Sequence, residues 1–456
     1  MPPASERRIV VRHAGTVLVG QLATMAFGVT DTIVAGRHAE SSLAALSVGY
    51  AVFISVFVAL MGVLQALLPA WAELQGAQRH AEVGRSVRQA LYLCAAATVV
   101  GMAVLLLPGP LLRWTDVPDA LRGEVTRYLA VLALALPPAL LFRMYGTLNQ
   151  ALGKPRFVTW LQIGALAVKV PLSVWFAFGG LGLAPRGAEG CAWATLVVNY
   201  GLLAVALWML RTQPLYRPYR IWQRLERPDW ARLGAFARLG VPGGLSILVE
   251  VTSFTLMALF IARQGTVAAA SHQIAANLAA VLYMMPLSIA IASSARVSYW
   301  LGAGEPQRAR DVVALSLRCT VAMALLQGAL LFLGRHAVAG VYAAQPAVAA
   351  QAAQLLAWVA LYHLADAVQA LCVFLLRCYR ITVAPLVLYG VLLWGVGLAG
   401  GYLLAYRGLA GWAPQATPAA FWGAGASALA LTAVGFLVLV RRTVFRPLRR
   451  QQPPRR

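Results

Sequence analysis

The sequence predicts an all-α integral membrane protein of twelve transmembrane helices in two related halves of six, and three observations carry that prediction. Of 456 residues, 60% are hydrophobic and 12% charged, with a mean hydropathy of +0.71. That leaves too few polar groups to cover a soluble fold of this length. Apolar runs long enough to cross a hydrocarbon core of about 30 Å as helices recur along the chain. Basic residues are distributed unevenly between alternate loops, as the positive-inside rule requires.

The first span covers residues 11–34 and follows a basic segment, Met1 to Arg12. A signal peptide begins in the same way, but this apolar run is too long and lacks a clear small-residue cleavage site, so it reads as a retained helix. Spans follow at 43–72, 90–112, 125–147, 157–179 and 190–210. The longest hydrophilic connection, Arg211 to Arg238, is rich in Arg, Pro and Trp. It divides the chain into lobes at 1–225 and 226–456, and the second lobe carries spans at 241–262, 270–298, 313–334, 350–375, 383–405 and 419–440. Pro69, Pro137, Pro138, Pro171, Pro242, Pro286 and Pro385 fall inside spans, where a missing donor bends a helix. Gly180-Leu181-Gly182, Gly395-Val396-Gly397 and Gly423-Ala424-Gly425 supply small residues for close helix approach.

A net charge of +23 would suggest nucleic acid in a soluble protein. With the N-terminus placed inside, however, the tails, even-numbered loops and neighbouring helix ends hold 29 of the 38 Lys and Arg. Only Arg37, Arg113, Arg122, Arg127, Arg186, Arg263, Arg335 and Arg407 fall outside, and Lys169 lies well within a span. This pattern predicts a multi-pass protein of the cytoplasmic (inner) membrane with both termini cytoplasmic and no nucleic-acid partner. The basic tail from Arg441 to Arg456 is expected against anionic lipid heads. Cys94, Cys191, Cys319, Cys372 and Cys378 form no C-x-x-C pair and lie in or beside spans, which argues against disulfides and structural zinc.

The halves resemble each other in detail. Arg37 to Gly76 and Arg263 to Gly302 are both intervals of 39 residues, ending just beyond the second and eighth spans. Ser42-Leu43-Ala44-Ala45 and Ala268-Ala269-Ala270-Ser271 fall in register at the same offset. Six spans return the chain to its starting side, so the halves are parallel repeats. Substrate and coupling-ion sites of transporters lie at such repeat interfaces.

Three acids sit inside apolar runs: Asp31, Glu250 and Asp366, of only fifteen in the chain. An ionisable group at the bilayer centre costs ~3 kcal/mol or more, which makes each a functional candidate. Helical spacing places Ser246, Ser253, Phe254 and Met257 on or near the face of Glu250, and a carboxylate with hydroxyls suits a small hard cation. Tyr362, His363 and Gln369 lie within a turn of Asp366; a lone His there reads first as a hydrogen-bonded neighbour. The plainer reading, acids that merely tie helices together, is disfavoured because hydroxyls or amides do so at lower cost.

Asp31 lies nearer the outer end of its span, with an outer vestibule, a bridge to Arg37 or neutralisation by Lys169 as the alternatives. Gln273 and Asn277 precede Tyr283 and form a polar stripe; Phe27, Tyr50 and Phe53 offer ring faces to a lipophilic cation. There is no P-loop, H-E-x-x-H or G-x-S-x-G motif, so the chain does not read as an enzyme.

The run Gly28-Val29-Thr30-Asp31-Thr32-Ile33-Val34-Ala35-Gly36, then Leu43-Ala44-Ala45-Leu46 and Gly76, resembles the first two helices of multidrug and toxic compound extrusion (MATE) transporters. In the second half, Leu239-Gly240-Val241-Pro242 leading to Glu250, His272-Gln273 with Asn277 and Pro286, and Asp366-Ala367-Val368-Gln369 resemble the NorM-type branch. The resemblance implies two six-helix lobes around a central cavity, acting as a monomer that exports organic cations in exchange for Na+ or H+, without another cofactor. It implies cation or proton coupling at Glu250, Asp366, Asp31 and Tyr283, with Glu250 and Asp366 holding Na+ if sodium is the coupling ion. Substrate contacts are expected from Asp31, Gln273, Asn277, Phe27 and Tyr50. The chain departs from some members in having no acid between Asp311 and Asp366, and in placing Lys169 where a neutral polar residue is expected. A flippase for lipid-linked oligosaccharides is the rival reading, but it would want a basic cavity.

Overall fold

The computed structural model describes residues 3–109, 119–180, 182–343, 345–408 and 413–445. Helices account for nearly all of them, and the β contact among the described residues is an isolated bridge between Gly180 and Leu183. Among the described residues twelve helices are long and apolar enough to cross a membrane: α1 Glu6–His38, α2 Glu40–Gly76, α3 His80–Leu106, α4 Leu121–Ala151, α5 Arg156–Phe178 and α6 Gly187–Thr212 in the first half; α7 Trp230–Ala262, α8 Thr266–Gly302, α9 Pro306–Tyr342, α10 Pro346–Cys378, α11 Val383–Arg407 and α12 Pro418–Phe445 in the second. Each predicted span maps onto one helix in order. Most helices outrun their apolar segments, because hydropathy marks the lipid-facing length whereas backbone hydrogen bonding continues past it. Arg113 and the tail beyond Phe445 lie outside the described residues.

The prolines divide into two groups. Pro137, Pro138, Pro171, Pro242 and Pro286 lie within unbroken helices. Pro69 and Pro385 instead fall in the first turns of the helical segments Leu68–Gly76 and Val383–Tyr389. There a backbone N–H has no intrahelical acceptor to lose. The break in α2 is a turn at Ala66 and Leu67, just ahead of Pro69. Within α11 the backbone widens to π-helix over Gly390–Ala399 and again over Leu403–Arg407. The five glycines between Gly390 and Gly401 leave that stretch without the side-chain packing that favours a regular helix.

Contacts group the chain into two compact units. The first comprises Arg8–Thr252 and Ser298–Gly304; the second comprises residues up to Arg7, Ser253–Val297 and the chain from Glu305 onward. In the first unit α4 is the most buried helix and packs on α2, α3 and α6. In the second, α10 has that place, between α9 and α12. The fourth helix of each sequence half is therefore its core element. Around α10 the aromatic rings of Phe421 and Trp422 pack with Ile261, Leu355 and Leu356.

The connection between the halves is fastened to α3 within the first unit. Arg88 forms a bidentate ion pair with Glu226 and donates to the Arg220 carbonyl at 2.6 Å. Gln89 binds on both sides of the next turn, donating to the Arg227 carbonyl (3.0 Å) and accepting from the Asp229 N–H (2.8 Å). Tyr92 donates to the Glu226 carbonyl at 2.9 Å. The ion pair holds the Glu226 carboxyl down to about 2, against 4.5 for a free glutamate.

Candidate cation sites

Asp31 and Lys169 form a closed polar site in the first unit. Asp31 projects from α1, Lys169 and Ser173 stand one turn apart on α5, and Cys191 and Thr195 stand one turn apart on α6. Lys169 Nζ lies 2.7 Å from Asp31 Oδ1 and 3.0 Å from Oδ2. It also donates to Thr195 Oγ1 (2.7 Å) and to the Cys191 carbonyl (3.0 Å). Ser173 Oγ donates to Asp31 Oδ1 at 3.0 Å. The Lys169 side chain is 0% exposed and that of Asp31 7%. Of the alternatives for Asp31, the structure shows Lys169 as the partner rather than Arg37, and burial in place of exposure to an outer vestibule.

The aromatics offered as ring faces in the first half lie in different surroundings. The Tyr50 hydroxyl lies against Gly28, one turn before Asp31; a Cβ there would stand 2.9 Å from it. Phe27 is half-buried, and Phe53 is buried and stacks on Phe57 with centroids 5.6 Å apart.

Asp366 lies on α10 in the second unit, 4% exposed. Gln369 Nε2 donates to its Oδ1 at 2.9 Å, and the Tyr389 hydroxyl on α11 donates to Gln369 Oε1. Among the described residues no Lys or Arg forms an ion pair with Asp366. His363 bonds to Gln327 (3.1 Å), so its ring is engaged away from the acid.

In the same unit His272, Trp422, Phe254 and Tyr362 form an aromatic cluster, and Trp422 Nε1 donates to His272 Nδ1 at 3.2 Å. Gln273 and Asn277 bond to each other (3.2 Å) and line a cleft of about 410 Å³ with Tyr342 and Gln345. Tyr283 lies further along α8 and is half-buried.

Glu250 lies on α7 in the first unit and is half-buried. Of the hydroxyls expected on its face, Ser246 donates to the Pro242 carbonyl at 2.8 Å and Ser253 to the Leu393 carbonyl at 3.5 Å. Their protons are committed to the backbone, so what they can offer a ligand is oxygen lone pairs, which suit a cation.

Ser173, Thr195 and Tyr389 did not emerge from the sequence reading. For the first two a signal existed, since each is spaced four residues from a member of the Lys169 site on its own helix. Tyr389 reaches Gln369 from another helix, and spacing along one chain segment cannot show that.

Twelve membrane-crossing helices built as an internal repeat, with acids in the first, seventh and tenth, define a polytopic membrane protein of the transporter class. The MatE family model matches the chain twice, over residues 17–175 and 242–403, and the chain belongs to this family. It is 40% identical to a protein of Aromatoleum aromaticum named "Probable multidrug resistance protein NorM", covering 95% of this chain and 94% of that one. It is 31% identical to "Multidrug resistance protein PmpM" of Pseudomonas aeruginosa, covering 98% and 94%. Among solved structures, the eukaryotic MATE transporter AtDTX14 superposes with a TM-score of 0.84 at 19% identity, covering 96% of each chain. The bent form of the Vibrio cholerae MATE transporter VcmN gives 0.82 at 18% identity, covering 97% and 98%.

Proposed function

We propose that this protein is a multidrug efflux transporter of the cytoplasmic membrane, with both termini cytoplasmic, that exports organic cations in exchange for Na+ or H+. The observation that carries the reading is the state of Asp366: a carboxylate deep within a span, held by a neutral amide and, among the described residues, by no basic side chain. A buried acid without a fixed counter-charge takes its positive partner from outside, as a proton, a metal ion or an organic cation. The names of the MatE relatives supply the transported class, drugs. The matching of the family model to each half supports a division into lobes near residue 225. The flippase reading has no support among the relatives, and the acids in the spans oppose it.

In this mechanism substrate and coupling ion bind in turn. Glu250 and Asp366, with Tyr283, take up the coupling ion and release the drug outward; Gln273 and Asn277 line the path of the drug. Each elementary charge moving inward gains ~2.3 kcal/mol per 100 mV. Membrane potential therefore drives the cycle only when more charge enters than leaves.

Cells expressing the protein and loaded with ethidium are expected to show energy-dependent efflux that Glu250→Gln and Asp366→Asn abolish. Proteoliposomes under an imposed Na+ or pH gradient then identify the coupling ion. Wild-type protein that moves no dye under either gradient overturns the proposal.

A further inference from the structure

Four oxygen atoms surround the Lys169 ammonium: both carboxylate oxygens of Asp31 at 2.7 and 3.0 Å, Thr195 Oγ1 at 2.7 Å and the Cys191 carbonyl at 3.0 Å. Each of its three protons has an acceptor. A carboxylate, a hydroxyl and a backbone carbonyl are also the ligands that a hard cation takes from a protein. Nζ thus stands where an exchangeable ion would stand, at the end of a side chain that cannot leave. Ser173, one turn along α5 from Lys169, fills a further acceptor position on Asp31 Oδ1.

We infer that Lys169 is a tethered cation that permanently occupies the cation cage of the first half, so that Asp31 exchanges nothing during transport and coupling falls to Glu250 and Asp366. This deepens the antiport reading and rests on it. The two buried charges are self-contained. Removing one leaves the other uncompensated, whereas removing both together is close to neutral. An acid that exchanges ions behaves differently, because its loss removes a step of the cycle whatever becomes of its neighbour.

Two experiments test the inference, one by stability and one by transport. In purified protein, Lys169→Ala opens the cage while leaving Asp31 in place. Its melting temperature is expected to rise with millimolar propylammonium but not with propanol of the same size, and wild type is expected to respond to neither. No selective response to propylammonium overturns the inference, since it would show that the oxygens around Nζ do not hold a free cation once the tether is removed.

The second experiment compares Asp31→Asn with the double variant Asp31→Asn/Lys169→Met. The double variant is expected to melt above the single one and to retain efflux within about threefold of wild type, with an unchanged coupling-ion dependence. A double variant less stable than Asp31→Asn, or one that folds and does not transport, overturns the inference. Absence of efflux from wild type would sink the antiport reading instead, and the melting responses distinguish the two failures.

Discussion

Gly76 on α2 stands against the Tyr299 carbonyl on α8, and Gly302 on α8 stands against the Glu73 carbonyl on α2. The interval of 226 residues that separates Gly76 from Gly302 also separates Glu73 from Tyr299. The two helices therefore cross by a contact that repeats itself under exchange of the halves. All four residues belong to the first compact unit.

A methyl group at either glycine would overlap a backbone carbonyl, which cannot swing aside as a side chain can. Overpacking of this kind costs ~1–3 kcal/mol and outweighs the ~1 kcal/mol that alanine gains over glycine in a helix. Gly76→Ala and Gly302→Ala are expected to lower the melting temperature by similar amounts. Gly334→Ala is the control: it lies within α9 with nothing within 4 Å of the added carbon, and is expected to raise the melting temperature. Thermal unfolding in one detergent ranks all three.

The Gln369 amide is held between Asp366 and Tyr389, and that arrangement fixes its orientation: the carbonyl faces the phenol and the NH2 faces the acid. Gln369→Leu removes a hydrogen bond to a charged group, worth ~1.5–3 kcal/mol, and is expected to alter the half-saturating coupling-ion concentration roughly tenfold or more. Tyr389→Phe leaves the amide free to turn and is expected to have a smaller effect in the same direction. Efflux rates titrated against the coupling ion check both, and an unchanged titration in Gln369→Leu would remove Gln369 from the site.

The twelve helices were legible because apolar length is a property of each segment alone. Asp31, Glu250 and Asp366 were legible for the same reason, as charges out of place in apolar runs. The partner of Asp31 was not, since Lys169 is remote in sequence and only packing of α1 against α5 selects it over Arg37. The π-helical backbone of α11 was hidden too. Its glycines read as helix-packing residues, and pattern alone cannot distinguish close packing from a widened turn.

The Arg88–Glu226 pair gives the connection between the halves a pH dependence. Glu226 is held at about 2, chiefly by its hydrogen bonds to Arg88, against 4.5 when free. A depressed carboxyl contributes its full stabilisation above the free value and loses it as the pH falls through the bound one. The contribution is therefore present at pH 7 and disappears between about 4.5 and 2. Because Glu226 is a third exposed, its size is ~1 kcal/mol. Glu226→Gln is expected to melt below wild type at pH 7, with the difference closing as the pH approaches 2. A difference that persists at low pH would assign the effect to packing.

Glu6 and Arg296 give the start of α1 a defined place in the second unit, whereas α1 from Arg8 onward belongs to the first. The guanidinium binds the carboxylate in bidentate fashion, Nε to Oε2 at 2.8 Å and Nη2 to Oε1 at 2.6 Å, with side chains 19% and 12% exposed. Two charge-assisted bonds in a largely desolvated setting are stronger than a surface pair and are expected to couple by ~1–3 kcal/mol. Glu6→Gln and Arg296→Gln should each destabilise the protein. The double variant should cost less than the sum of the two, because the second change no longer strands a charge. A double-mutant cycle on apparent unfolding free energies measures that coupling. Strict additivity would show that the first turn of α1 is not held by this pair.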